Sequence, residues 1–124
     1  MLDPACASPS HVRNGATTVA VVSWLRWSWA AYLPDGPPTD KALAWLVSPV
    51  AAAGWRVPAA HPPTVVATAS ADPLRDEGVI YAAAMGAAGK LVAHVEARGS
   101  HVLGLALDKP KRKELLDAWA TMLG

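Results

Sequence analysis

Cysteine, phenylalanine and charge are all scarce in this 124-residue chain: one Cys, no Phe, and 17% Asp, Glu, Lys and Arg combined. A lone cysteine, Cys6, excludes an internal disulfide. One cysteine with four scattered histidines also has none of the paired spacings that hold zinc. A formal net charge of +1 gives no electrostatic basis for binding nucleic acid, and 52% hydrophobic residues argue against disorder. Lys109, Lys111, Arg112 and Lys113 do cluster, but at the start of a predicted helix, where they read as a solvated face. The first nine residues, Met1 to Pro9, lack the basic region and following apolar run of a signal peptide. The expectation is a cytoplasmic, reduced protein.

What is abundant is small and apolar. The length suffices for one domain with its own core, yet so few charges suit the buried interior of a larger α/β fold. Residues 1–15 read as irregular, because Pro4, Pro9, Asn14 and Gly15 break any period. From Ala16 to Leu33 only Arg26 is charged, and Trp24, Trp27, Trp29 and Tyr32 are concentrated there. Helical spacing puts Ala20, Trp24, Trp27 and Ala31 on one face, predicting a helix packed through it. A membrane span is disfavoured: Arg26 near its middle would cost roughly 2.5–3.5 kcal/mol, and two serines and two threonines weaken it further. A helix lying in a membrane interface stands between these readings. Lys41 to Trp55 suggests a short helix interrupted at Ser48-Pro49 and ended by Gly54.

The most informative stretch runs from His61 to Gly78. After Pro62-Pro63, the residues Thr64 to Thr68 are apolar and β-branched, as a strand covered on both faces requires. Asp72 follows, and Pro73 with Asp76-Glu77 signals a helix start. That helix is predicted over Asp76–Ala88, with Val79, Ile80, Ala83, Ala84 and Ala87 buried and Gly89 closing it. Gly78 and Gly86 weaken it by about 1 kcal/mol each relative to Ala. Lys90 to Ala97 reads as a second strand. Strand, helix, strand is a βαβ unit, which makes the strands parallel. Asp72 and His101 then fall on the same carboxyl rim, where open α/β sheets bind ligands. There a carboxylate can orient an imidazole as a general base. Taken singly, Asp72 could merely cap a helix and His101 could be a surface-loop histidine. His11, His61 and His94 have no comparable placement, and His94 reads as structural. Pro110 opens a last helix, with Leu115, Leu116, Trp119, Met122 and Leu123 on one face.

Asp72-Pro-Leu-Arg-Asp-Glu-Gly78, preceded by a proline pair and a hydrophobic strand, resembles a signature of the α/β-hydrolase superfamily. It is most similar to the branch of bacterial acetyl esterases and hormone-sensitive lipase. Trp27-Ser-Trp-Ala-Ala-Tyr-Leu33, the loop Pro34-Asp-Gly-Pro-Pro38 and Ser48-Pro49 also resemble that branch. The resemblance implies a partial α/β-hydrolase fold: a C-terminal βαβα unit with parallel strands over 61–124, and a Trp-rich helical and loop segment over 1–60 near the acyl pocket. It implies that Asp72 and His101 are the acid and histidine of a Ser-Asp-His triad, in that family's chain order. Trp27 and Trp29 become candidate pocket-lining residues, with ordinary core packing the other reading.

Departures from the family pattern bear on activity. Val102-Leu103-Gly104 follow His101, where relatives have Gly-Phe. No Gly-x-Ser-x-Gly and no His-Gly-Gly-Gly occur, so nucleophile elbow and oxyanion donors are missing. Ser23, Ser28 and Ser70 stand in no glycine-flanked turn. In the family those parts precede the region aligned with Met1, so the resemblance covers only the C-terminal portion of a full member. The expected function is a fragment of a carboxylic-ester hydrolase, inactive alone, whose partner chain or second copy supplies the rest. The alternative is a non-catalytic interaction module that docks a partner through an exposed sheet edge. A small ester is the implied substrate. No cofactor is implied, because triad hydrolysis needs only water.

Overall fold

A computed structural model describes residues 5–16, 19–40, 47–48, 56–101 and 106–124. The elements are α1 (Pro9–Gly15), α2 (Val19–Tyr32), β1 (Thr64–Ala69), α3 (Arg75–Ala87), β2 (Leu91–Ala97) and α4 (Lys109–Leu123). β1 and β2 pair in parallel, and among the described residues they make a two-stranded sheet. The register shifts once, between Thr64 and Val65, and then runs unbroken from Val65↔Ala93 to Ala69↔Ala97. This is the α/β arrangement with parallel strands that the sequence predicts. The short helix expected over Lys41–Trp55 lies outside the described residues, apart from Val47 and Ser48.

The turn after α3 is built as its sequence requires. Gly89 adopts φ +66°, Lys90 N–H donates to the Met85 carbonyl at 2.8 Å, and Gly89 N–H donates to the Gly86 carbonyl at 3.0 Å. These paired bonds satisfy carbonyls that a helix end otherwise leaves open, and the left-handed backbone favours glycine.

Four expectations need correction. Residues 9–15 are helical, not irregular. Ser8 is the N-cap and its side chain accepts from His11 N–H, while Pro9 occupies the first turn, where no amide hydrogen is needed. In α2 the buried face is Val22, Leu25 and Trp29; Trp24 and Trp27 are 59% and 66% exposed. The helix is apolar almost all round, so periodicity cannot select a face. The partners select it: Leu25 and Trp29 cluster with Cys6, with Leu33, Val47 and Leu74 packed around them. In α3 the buried residues are Glu77, Ala82 and Met85, whereas Ile80 is half exposed. The stripe is rotated from the predicted one because Gly78, at helical spacing from Ala82 and Met85, faces the sheet. α4 likewise buries only Leu115, leaving Leu116, Trp119 and Leu123 at the surface.

Gly78 explains how α3 lies so close to β1. A Cβ there would meet Thr68 Cγ2 at 2.6 Å, well inside van der Waals contact. Thr68 is itself buried, and its Oγ1 hydrogen-bonds His94 Nε2 at 3.0 Å, so its side chain is not free to rotate away. Alanine at 78 gains helix propensity of about 1 kcal/mol but overpacks, at about 1–3 kcal/mol. We expect Gly78→Ala to lower stability by about 1 kcal/mol in urea unfolding, and added Thr68→Ser, which removes the offending methyl and keeps the hydroxyl, to restore it.

Candidate active site

Strand pairing does not stop where the strands formally end. Ser70 N–H donates to the Ala97 carbonyl at 3.0 Å, and Ala71 N–H donates to the Gly99 carbonyl at 2.8 Å. The chains therefore leave the sheet side by side, bringing together two residues 29 apart in sequence. His101 Nδ1 lies 2.8 Å from Asp72 Oδ2. Asp72 Oδ1 accepts from Leu74 N–H at 2.9 Å. One oxygen of this acid thus caps the turn into α3, and the other meets the imidazole.

The pair has an orientation with chemical meaning. An ionised carboxylate only accepts hydrogen bonds, so opposite one Nδ1 is the donor, and in a neutral ring Nε2 is then the acceptor. Among the described residues Nε2 makes no hydrogen bond, and the ring is 32% exposed against 12% for the Asp72 side chain. A buried acid beside a half-open imidazole is an arrangement that can orient a general base. Beside the pair is an open groove of about 320 Å³, lined also by Leu74, Arg75, Glu77 and Tyr81.

The predicted tryptophans do not line that groove. Trp27 is exposed on α2; Trp29 is buried beside Cys6 and Leu25, in a cluster that Leu74 joins to the groove. His94 is taken up by Thr68, and His61 Nε2 lies 3.3 Å from Tyr81 Oη.

A set of residues the sequence reading passed over lies on α1. Ser10 N–H donates to Asp76 Oδ2 at 2.9 Å, and Ser10 Oγ donates to the Pro73 carbonyl at 2.6 Å while accepting from Asp76 N–H at 3.1 Å. Asn14 Nδ2 donates to the Asp72 carbonyl at 3.0 Å. His11, 4% exposed, places Nδ1 3.4 Å from buried Glu77 Oε1 and 2.8 Å from Ser8 Oγ. Ser8, His11 and Glu77 are not a second triad, since hydroxyl and carboxylate approach the same ring nitrogen. The available signal was Ser8-Pro9, a cap followed by a first-turn proline; nothing local announces contacts to partners 58 to 66 residues away.

A family model for the alpha/beta hydrolase fold matches residues 1–102. The chain belongs to the α/β-hydrolase fold family. The match agrees with the acetyl-esterase and hormone-sensitive-lipase branch suggested by the Asp72–Gly78 motif, and it spans both Asp72 and His101. No curated protein and no solved structure is significantly similar to it. No helix among the described residues of this α/β-hydrolase chain is long and apolar enough to cross a membrane. The described residues also contain no cluster of three or more metal-ligating side chains.

The far side of the site is tied down by α4. Asp108, its N-cap, accepts from Lys111 N–H at 3.2 Å and from Arg98 N–H, just beyond β2, at 3.1 Å. The Arg98 amide first, and the Lys111 amide next, hold its carboxyl below the ordinary 3.8. A depressed acid contributes stability above its unfolded value and loses it as pH falls through the folded one. We expect wild-type thermal stability to fall more steeply than that of Asp108→Asn as pH drops from about 5 toward 2.

Proposed function

We propose that this chain supplies the acid and histidine of a nucleophile–acid–histidine triad that hydrolyses carboxylic esters, and that the nucleophile and oxyanion donors come from a segment outside these 124 residues. The observation that carries the reading is the 2.8 Å bond from His101 Nδ1 to Asp72 Oδ2 on one sheet rim, with Nε2 making no hydrogen bond among the described residues. In the assembled site, Nε2 takes the proton of a nucleophilic hydroxyl as its oxygen bonds to the acyl carbon. The resulting imidazolium, steadied by Asp72, then protonates the departing alkoxide. Water enters by the same base and releases the acid, so every proton borrowed is returned. Of the two tryptophans, Trp27 is exposed on α2, and Trp29 underpins that helix.

Without a nucleophile and oxyanion hole little acceleration is left, because residual activity in triad enzymes missing a member depends on that hole. Hence the pure chain should hydrolyse short nitrophenyl esters no faster than its His101→Ala variant. Joined to an N-terminal half from the acetyl-esterase branch, bearing Gly-x-Ser-x-Gly and His-Gly-Gly-Gly, it should gain activity that Asp72→Ala and His101→Ala each lower at least 100-fold, on the order of one triad member's contribution. Activity in the joined protein that survives both substitutions would refute the assignment.

A second reading, a docking module without catalysis, draws on the open edge of β1, which has no strand beside it among the described residues. An unpaired parallel strand edge seeks a partner whether or not chemistry follows. The joined protein separates the two: assembly without hydrolysis favours docking alone.

A further inference from the structure

An acid that must aim an imidazole is only as well directed as the backbone that carries it. Asp72 sits in a short turn between β1 and α3. Within that turn, Asp72 N–H donates to the Ala69 carbonyl and the Asp72 carbonyl accepts from Arg75 N–H, both at 3.1 Å. The remaining polar groups around it reach α1. Ser10 holds the Pro73 carbonyl and the Asp76 amide, one on either side of Leu74. Leu74 N–H is the donor that fixes Asp72 Oδ1. Asn14 holds the Asp72 carbonyl itself.

We infer that Ser10 and Asn14 are positioning residues for the acid–histidine pair. Ser10 holds the Pro73–Leu74 and Arg75–Asp76 peptides, the Leu74 amide sets the rotation of the Asp72 carboxylate about its last bond, and that rotation points Oδ2 at His101 Nδ1. Asn14 anchors the peptide plane immediately after Asp72, so the side chain leaves the backbone in a fixed direction. Burial makes the clamp stiff: Ser10 is fully buried, Asn14 is 8% exposed, and Pro73 is among the most deeply buried residues. The His11–Glu77 contact pins α1 against α3 a turn away, so the clamp cannot slide along the helix. The inference rests on the reading of Asp72 and His101 as triad members, and it adds residues that touch neither substrate nor nucleophile.

The test uses the full chain labelled with ¹⁵N in histidine, its His101 signals assigned by loss in His101→Ala. In the wild type His101 is expected as the Nδ1–H tautomer, with a low-field ring proton bonded to carboxylate. Asp72→Ala should abolish that proton signal and return the ring to the Nε2–H form preferred by free imidazole. If it does not, the pairing itself is wrong. With pairing confirmed, Asn14→Ala, which deletes a single amide, should move a substantial share of His101 to the Nε2–H form and broaden or erase the low-field signal. Ser10→Ala should do the same. Val66→Ala, which loosens the β1 core away from the turn, is the matched control and should lower stability with the His101 spectrum unchanged. Should Ser10→Ala fail to fold, Asn14→Ala carries the decision. An Asn14→Ala protein that melts earlier yet keeps the wild-type tautomer would show a merely structural role and overturn the inference.

Discussion

Parallel pairing of β1 with β2 is the constraint on which the site depends. Two strands joined by a crossover helix run the same way, so both must finish on the same rim. An antiparallel hairpin would have carried His101 to the far end of the sheet from Asp72. The ladder persists for two further bonds, Ser70 to Ala97 and Ala71 to Gly99, and only then do the chains part. Asp72 and His101 are the side chains that stand there. The close approach at Gly78 and the left-handed Gly89 serve this arrangement, because they let α3 cross over tightly and return the chain in register.

Features set by short-range chemistry were legible in the sequence, and those set by partners were not. A β-branched run bounded by prolines gives β1, and an acid pair after a proline announces α3. Glycine in the right place marks its end. The rim placement of Asp72 and His101 follows from strand order. Which face a helix buries is another matter. The second half of α3 is rich in alanine, with little contrast between faces, and the true stripe of Gly78, Ala82 and Met85 is chosen by contact with Thr68. Trp24 and Trp27 are as apolar as Leu25 and Trp29, but Cys6 lies against the latter. In α1 the helix signal at Ser8-Pro9 competed with the prolines, asparagine and glycine nearby. The role of Ser10 and Asn14 has no local signature, since it exists only once distant backbone groups have been brought against them.

The network on α1 also ties the first part of the chain to the acid–histidine pair in the second. A turn this short leaves backbone carbonyls and amides that must find partners when buried. Asp72, Pro73 and Asp76 find them in Ser10 and Asn14. The 2.8 Å contact at the rim is thereby coupled to a helix that shares no strand with it. An acid held by one backbone amide could rotate; an acid whose donor amide is bracketed on both sides has far less freedom to do so. On the proposed reading, that order would precede substrate binding, which is where preorganised sites gain their advantage.

The open edge of β1 and the groove beside Asp72 and His101 share Ala67 and Thr68 as lining, so a partner pairing with that edge would also reach the groove. Strands added in parallel there would end on the same rim, by the geometry that delivered His101. A nucleophile carried past the end of such a strand would need no further device to find Nε2, only the right number of strands between. Exposed Trp24, Trp27 and Tyr32 on α2, and Leu116, Trp119 and Leu123 on α4, leave apolar surface on both helices. Surface of that kind is characteristic of proteins that meet another chain or segment. On the proposed reading, docking and catalysis would both follow from one edge, and what separates them is whether the docked segment brings a hydroxyl to His101.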